Sequence, residues 1–261
     1  MPRLLLFLIC CLLAACGKSG PGAGDPLRVG MELTYPPFET KDAQGNPDGV
    51  GVKLAEALAK DLGRPLKIVP MEFTGLIPAL KSGNVDLVIS SMTATEQRRQ
   101  SIEFSQPYAF TGLAILTGKD SKLQSADDLK APGTRIAVKA GTTGESWVAA
   151  NLPDAKRTAF GEDAACVLEV AQGRADAFIY DQLSIYRYHK MNADTTRALL
   201  HPFVEENWAV GIGKGNTELK AKVDAFIDKF RKEGGFGKLG DQYLAEEKKA
   251  LEQMGVPFIL R

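Results

Sequence analysis

The feature that most constrains this chain is an internal repeat. Gly83-Asn84-Val85-Asp86-Leu87-Val88-Ile89-Ser90 and Gly173-Arg174-Ala175-Asp176-Ala177-Phe178-Ile179-Tyr180 share one pattern, Gly-x-x-Asp-apolar-x-apolar-polar. Each copy reads as a helix stopped at glycine and followed by a short strand. The strand is apolar almost without alternation, so both of its faces must be covered, as in a parallel sheet inside α/β packing. Two copies in 261 residues imply two βαβ lobes, each offering a strand end with polar atoms to a shared cleft.

The remaining periodicity fits that plan. Strand patterns over 27–31, 66–69, 113–116, 135–139 and 208–213 alternate with helical spacing over 52–62, 76–81, 95–100, 125–129, 146–152, 164–172, 182–188 and 241–254. The clearest helix spans 218–232, where Leu219, Val223, Phe226, Ile227 and Phe230 form one stripe and Lys and Asp fill the other face.

Composition removes several classes of function. Lys plus Arg and Asp plus Glu are each 32, so the formal net charge is zero and a polyanion-binding chain is not expected. Three of the four cysteines, Cys10, Cys11 and Cys16, crowd the start, and Cys166 stands alone. No Cys/His cluster has metal-ligand spacing, and His189 and His201 carry no catalytic motif, so no metal, cofactor or catalytic residue is expected. Cys166 reads as a buried small hydrophobe.

Residues 1–15 read as a secretion signal. Arg3 precedes LLLFLICCLL over 4–13, a run too short to span a bilayer as a mature helix. Leu13-Ala14-Ala15-Cys16 resembles the bacterial lipoprotein box, in which the cysteine is acylated and becomes the first mature residue; an ordinary signal peptide cut nearby is the alternative. Residues 16–25, rich in glycine, then form a flexible tether that holds a folded unit off a membrane surface.

Six segments, in order, resemble the polar amino-acid (family 3) solute-binding proteins of ABC importers. They are Leu33-Thr34-Tyr35-Pro36-Pro37-Phe38-Glu39, Gly75-Leu76-Ile77-Pro78-Ala79-Leu80 with Gly83-Asn84-Val85-Asp86, Ser91-Met92-Thr93-Ala94-Thr95-Glu96-Gln97-Arg98, Phe104-Ser105-Gln106-Pro107-Tyr108, Ala137-Val138-Lys139-Ala140-Gly141-Thr142-Thr143, and residues 173–181. The resemblance implies an α/β, two-lobe periplasmic binding protein fold (type II), whose βαβ-type lobes are joined by two hinge segments. Lobe one would be 26–110, completed by 209–261, and lobe two 111–208. The hinges would lie near 110–112 and 208–210, and the lobes would close over ligand.

The resemblance also implies a ligand site for a free L-amino acid. Arg98 matches the arginine that clamps the α-carboxylate with its planar fork. Asp181 matches the acceptor of the α-ammonium, although it could also cap a helix. Ser90, Ser91, Thr93, Thr142 and Thr143 would add hydroxyl or backbone contacts. Tyr35 and Phe73 match aromatic walls, and Phe38 reads as core. Glu32 and Lys139 would meet the distal end of the ligand, an anionic acceptor and a cationic donor that together suit a primary amide. Ser90, Ser91, Tyr35 and Thr142-Thr143 also resemble the basic amino-acid branch, and Tyr180 replaces a histidine of the glutamine branch, so an arginine/lysine-type ligand stays open behind a glutamine-like one.

Other readings stand beside this one. A dehydratase-like enzyme on the same fold would need an acid or base aimed at the reacting carbon, yet Glu32 and Asp181 already have binding tasks. A detached binding component could instead feed a sensor. The expected partners are an ABC permease and the membrane through the Cys16 lipid, with no nucleic acid, a monomeric soluble domain, and a place in the periplasm or on the outer face of the cytoplasmic membrane. Two departures from the family remain. The usual Gly-Phe-Asp-x-Asp-Leu is here Gly49-Val50-Gly51-Val52-Lys53-Leu54, which removes two acids from a helix start. Residues 248–261 run past the family's usual ending, with no role assigned by the sequence.

Overall fold

The structure, a computed structural model, describes residues 24–253, 255 and 257–260. The expected leader, Cys16 and most of the tether lie outside the described residues.

The chain opens with β1 (Leu27–Met31), a hairpin of β2 (Thr40–Lys41) and β3 (Pro47–Asp48), α1 (Val50–Asp61), β4 (Leu66–Pro70), α2 (Leu76–Ser82), β5 (Leu87–Val88) and α3 (Glu96–Arg99). A long strand, β6 (Glu103–Gly118), leads out of this unit. Next come β7 (Arg135–Lys139), α4 (Thr143–Asn151), β8 (Lys156–Phe160), α5 (Asp163–Ala171), β9 (Ala177–Asp181) and α6 (Gln182–Met191). A second long strand, β10 (Thr196–Ile212), returns, and α7 (Thr217–Lys232), α8 (Gly235–Tyr243) and α9 (Ala245–Gln253) complete the chain. The sheet runs β4-β1-β5-β10-β6-β9-β7-β8, with β1, β4 and β5 parallel, and β7, β8 and β9 parallel. The antiparallel pair β6 and β10 crosses between the two units, with Phe110 opposite Asn207 and Thr111 opposite Glu206.

The repeat has a structural cause in each unit. Gly83 ends α2 in the left-handed conformation at φ 75, and Gly173 follows α5 at φ 69. Arg28, on β1, holds Asp86 through its backbone N–H (2.9 Å) and Nη2 (2.5 Å) and donates from Nη1 to the Gly83 carbonyl (2.7 Å). Arg135, on β7, does the same with Asp176 (2.8 and 2.5 Å) and Gly173 (2.9 Å). The aspartate therefore recurs because one arginine per unit is held by it, and the glycine because the chain leaves each helix at positive φ.

Coverage of both sheet faces is also seen. Leu87 and Ile89 enter one core cluster, and Val85 and Val88 the opposite one. In the second unit Ala177 and Ile179 face one cluster while Phe178 faces the other. The α7 stripe buries Val223, Phe226 and Ile227 against β6, β10 and α1.

Several elements differ from the sequence expectation. The short strands expected over 113–116 and 208–213 are the ends of strands of 16 and 17 residues. The helix expected over 241–254 is split at Leu244 into α8 and α9. The hairpin β2–β3 and the exposed edge strand β8 had no apolar pattern to announce them. The segment without an assigned role packs on the first unit. Leu251, Ile259 and Leu260 are buried in that unit's core and Ile259 O accepts from Phe110 N at 2.8 Å beside the crossing. Just ahead of it, Glu247 pairs with Arg187 on α6 at 3.5 Å.

Candidate functional site

The ends of β1, β5, β7 and β9 converge on the crossing strands around a cleft. Ten of the expected residues line it: Glu32, Tyr35, Phe73, Ser90, Ser91, Thr93, Arg98, Thr142, Thr143 and Asp181. That is the location expected for a ligand site in an open α/β sheet, outside the strand ends.

Arg98 sits on the short helix α3, where the Thr95 hydroxyl accepts from its backbone N–H at 3.2 Å and fixes the turn. Its Nη1 donates to Thr93 O (2.8 Å) and its Nη2 reaches across to Gly141 O of the second unit (3.0 Å). The guanidinium carbon lies 5.4 Å from the centre of the Phe73 ring. Burial lowers the guanidinium to about 10, with Glu206 pulling the other way, so it remains a cation at neutral pH. Among the described residues, no carboxylate lies within ion-pair distance of it. Gly141 is a glycine for a reason: φ is +75, and a Cβ would meet the Thr74 methyl at 2.9 Å where the units approach.

Asp181 ends β9 and caps α6, accepting from Ser184 N at 3.0 Å. Its other oxygen accepts from the Tyr35 hydroxyl at 2.6 Å, across the cleft. Burial pushes the Asp181 carboxyl up, and the Tyr35 and Ser184 hydrogen bonds oppose the rise. Capping and cleft lining are thus one position. Tyr35 also meets Tyr180 and Trp208 edge-on, at 5.9 and 6.0 Å between ring centres. Phe38 is 1 % exposed in the core behind it.

Lys139 corrects the expectation. It does not line the cleft; it is fully buried, and its Nζ donates to Glu32 Oε2 at 2.5 Å. The other Glu32 oxygen accepts from Phe73 N at 3.3 Å. Burial pushes the Glu32 carboxyl up and Lys139 pulls it down. The expected donor and acceptor of the distal site therefore neutralise each other across the two units. Several hydroxyls also have protein partners. Ser90 Oγ accepts from Glu32 N (3.0 Å), Thr142 donates to Lys139 O (2.7 Å), and Ser91 donates to Glu39 (2.9 Å).

Sequence reasoning missed Glu206 and Trp208 as cleft residues and treated Tyr180 only as a replacement. Glu206 is buried on β10, in hydrogen-bond contact with Thr143 and 3.4 Å from the Thr93 hydroxyl. Burial raises its carboxyl against the pull of Thr143 and Arg98. Alternation along the strand was the available signal, since residues 206 and 208 point to the same face. Cys166 is buried, with its thiol pushed up to about 12 by burial, unsuited to nucleophilic work. Among the described residues, no group of three or more His, Cys, Asp or Glu could hold a metal ion, and no helix is long and apolar enough to cross a membrane.

Known proteins resemble this chain in sequence and fold. The L-cystine-binding protein TcyJ of Escherichia coli (strain K12) is 30% identical over 85% of this chain and 83% of its own. The structure of the ancestral amino acid-binding protein AncCDT-1, a precursor of cyclohexadienyl dehydratase, matches with a TM-score of 0.77, at 37% identity over 84% of this chain and 95% of that one. An ancestral arginine-binding protein bound to arginine matches with a TM-score of 0.79, at 35% identity over 85% and 99%, and its glutamine-bound form with 0.76, at 34% over 86% and 99%. The fold is the two-lobe, type II periplasmic binding protein fold, and these relatives are binding proteins, not enzymes. Residues 27–246 match the bacterial extracellular solute-binding proteins, family 3, and the chain belongs to that family.

Proposed function

We propose that this chain captures a free polar L-amino acid outside the cytoplasm and delivers it to an ABC permease. One observation carries the reading: Arg98 is a buried cation on the cleft wall without a protein carboxylate at ion-pair distance, and the opposite lobe supplies Asp181. A zwitterion answers both, with its carboxylate on Arg98 and its ammonium at Asp181, so each charge is desolvated together with a partner. Lobe one in this reading is 26–110 with 209–261, lobe two is 111–208, and the β6–β10 crossing is the hinge.

For the side chain, the Glu32–Lys139 pair favours a neutral polar group that both donates and accepts, as the amide of glutamine does. A second reading, arginine, is supported by the relatives named for arginine, and by an ancestral one solved with either amino acid. The Leu13-Ala14-Ala15-Cys16 box supports a lipid anchor, which Cys16→Ser should abolish together with lipid labelling.

The test is calorimetry on refolded protein. Arg98→Ala and Asp181→Asn should each weaken amino-acid binding by about 2–5 kcal/mol, because a desolvated partner is left unpaired. Arg98→Lys should also be impaired, since a point charge cannot reproduce a fork. Near-native affinity in both Arg98→Ala and Asp181→Asn rules the site out.

A further inference from the structure

Ser91 is, among the described residues, the one non-glycine with a positive φ, at 47°. It lines the cleft just past β5. A left-handed backbone at a residue with a Cβ is strained and persists only where neighbours impose it. Two buried side chains meet Ser91 there: Tyr108, and Glu39, whose Oε2 accepts from the Ser91 hydroxyl at 2.9 Å.

Glu39 does not line the cleft and is 0 % exposed. Its backbone exchanges both hydrogen bonds with Tyr35, N–H to O at 3.0 Å and O from N–H at 2.8 Å, which closes the Pro36-Pro37 loop. One buried residue thus ties together two cleft walls, Tyr35 by backbone and Ser91 by side chain. Its seat is made by a glycine. A Cβ at Gly51, in the first turn of α1, would lie 2.0 Å from Glu39 Oε1 and 2.8 Å from Cδ. The Glu39 side chain fills the room that a residue-51 side chain would need. Burial holds this carboxyl well above the usual carboxylate range, with the Ser91 hydrogen bond opposing. A neutral side chain of the same shape should therefore serve as well.

We infer that Glu39 is a positioning residue for the cleft: from its seat over Gly51 it holds Ser91 in the left-handed conformation and locks the Tyr35 loop, without touching ligand. The affinity readout rests on the amino-acid reading of the cleft; the backbone readout does not.

The experiment pairs Glu39→Met, which keeps the volume and removes the hydrogen bond, with Glu39→Gln, Ser91→Ala and Ser91→Gly. Crystal structures give φ at residue 91, and calorimetry on refolded protein gives affinity for L-glutamine and L-arginine. Glu39→Met should move Ser91 to negative φ and weaken binding about tenfold, as Ser91→Ala should, the scale of one lost hydrogen bond. Glu39→Gln should stay within about threefold of the parent. In a Ser91→Gly background, where glycine adopts the left-handed backbone freely, Glu39→Met should add less than about threefold. The inference is overturned if Glu39→Met leaves φ positive with affinity unchanged. It is equally overturned if the variant costs as much in the glycine background as in the parent. If the parent binds no amino acid, the amino-acid reading fails and φ at residue 91 alone decides the inference.

Discussion

Replacing Lys139 with Met isolates the charge logic of the cleft. Lys139 Nζ is 2.5 Å from Glu32 Oε2, and the side chains are 0 % and 5 % exposed. In the proposed lobe division the partners lie on opposite lobes, so opening the cleft would return both to water and closing it would desolvate both. Removing one partner of a buried pair costs about 3–5 kcal/mol. A ceiling applies here, because Glu32 can take up a proton instead. From its ordinary pKa of 4.5, protonation at pH 7 costs about 3.4 kcal/mol. Glutamine binding to Lys139→Met should therefore fall by up to about 300-fold at pH 7. The sign with pH follows: closure now takes up a proton, so glutamine affinity rises as pH falls from 7 towards 5. Arginine supplies a cation to Glu32 and should lose far less, without that pH dependence, so preference shifts towards arginine. Competition calorimetry at two pH values reads all of this. Equal losses for both ligands, or unchanged preference, would refute the reasoning.

Other consequences are simpler. Asp86 is held below its ordinary 3.8: burial raises it, but hydrogen bonds and charge from Arg28, with Arg64, prevail. That stability is present above about pH 3.8 and is lost as pH falls through the lower folded value, so Asp86→Asn should cost about 2–3 kcal/mol at pH 7 and progressively less below pH 3.8, read by urea unfolding. Truncation after Gln253 removes buried Ile259 and Leu260 and the Phe110 N–H acceptor at 2.8 Å. The loss is about 3–5 kcal/mol, or roughly 10 °C in Tm. A shift below about 2 °C would show that the segment is not docked in solution.

The fold was legible where local chemistry repeats. The Gly-x-x-Asp copies are visible because in each unit the chain leaves a helix at positive φ and an aspartate then holds an arginine, Arg28 or Arg135. The length of the two crossing strands was not, because β6 and β10 carry Pro107, Pro202 and a polar run, Glu205-Glu206-Asn207, and their pairing shifts register between Leu199 and Val204 and again at Trp208–Ala209. Ten cleft residues could be placed through the family resemblance. Lys139 could not, since whether a lysine faces ligand or a carboxylate is decided by a partner 107 residues away. Glu39 hid for a similar reason: nothing local tells that Gly51 leaves a seat for it.

The most direct measurement is competition calorimetry of refolded, ligand-free parent protein against the twenty amino acids. Glutamine, or a similar neutral polar amino acid, should bind tightest, because Glu32 is already neutralised by Lys139. A preference for arginine over glutamine of tenfold or more, about 1.4 kcal/mol, would contradict the neutral distal site. Binding to none of the twenty would contradict the amino-acid reading of the Arg98 and Asp181 cleft altogether.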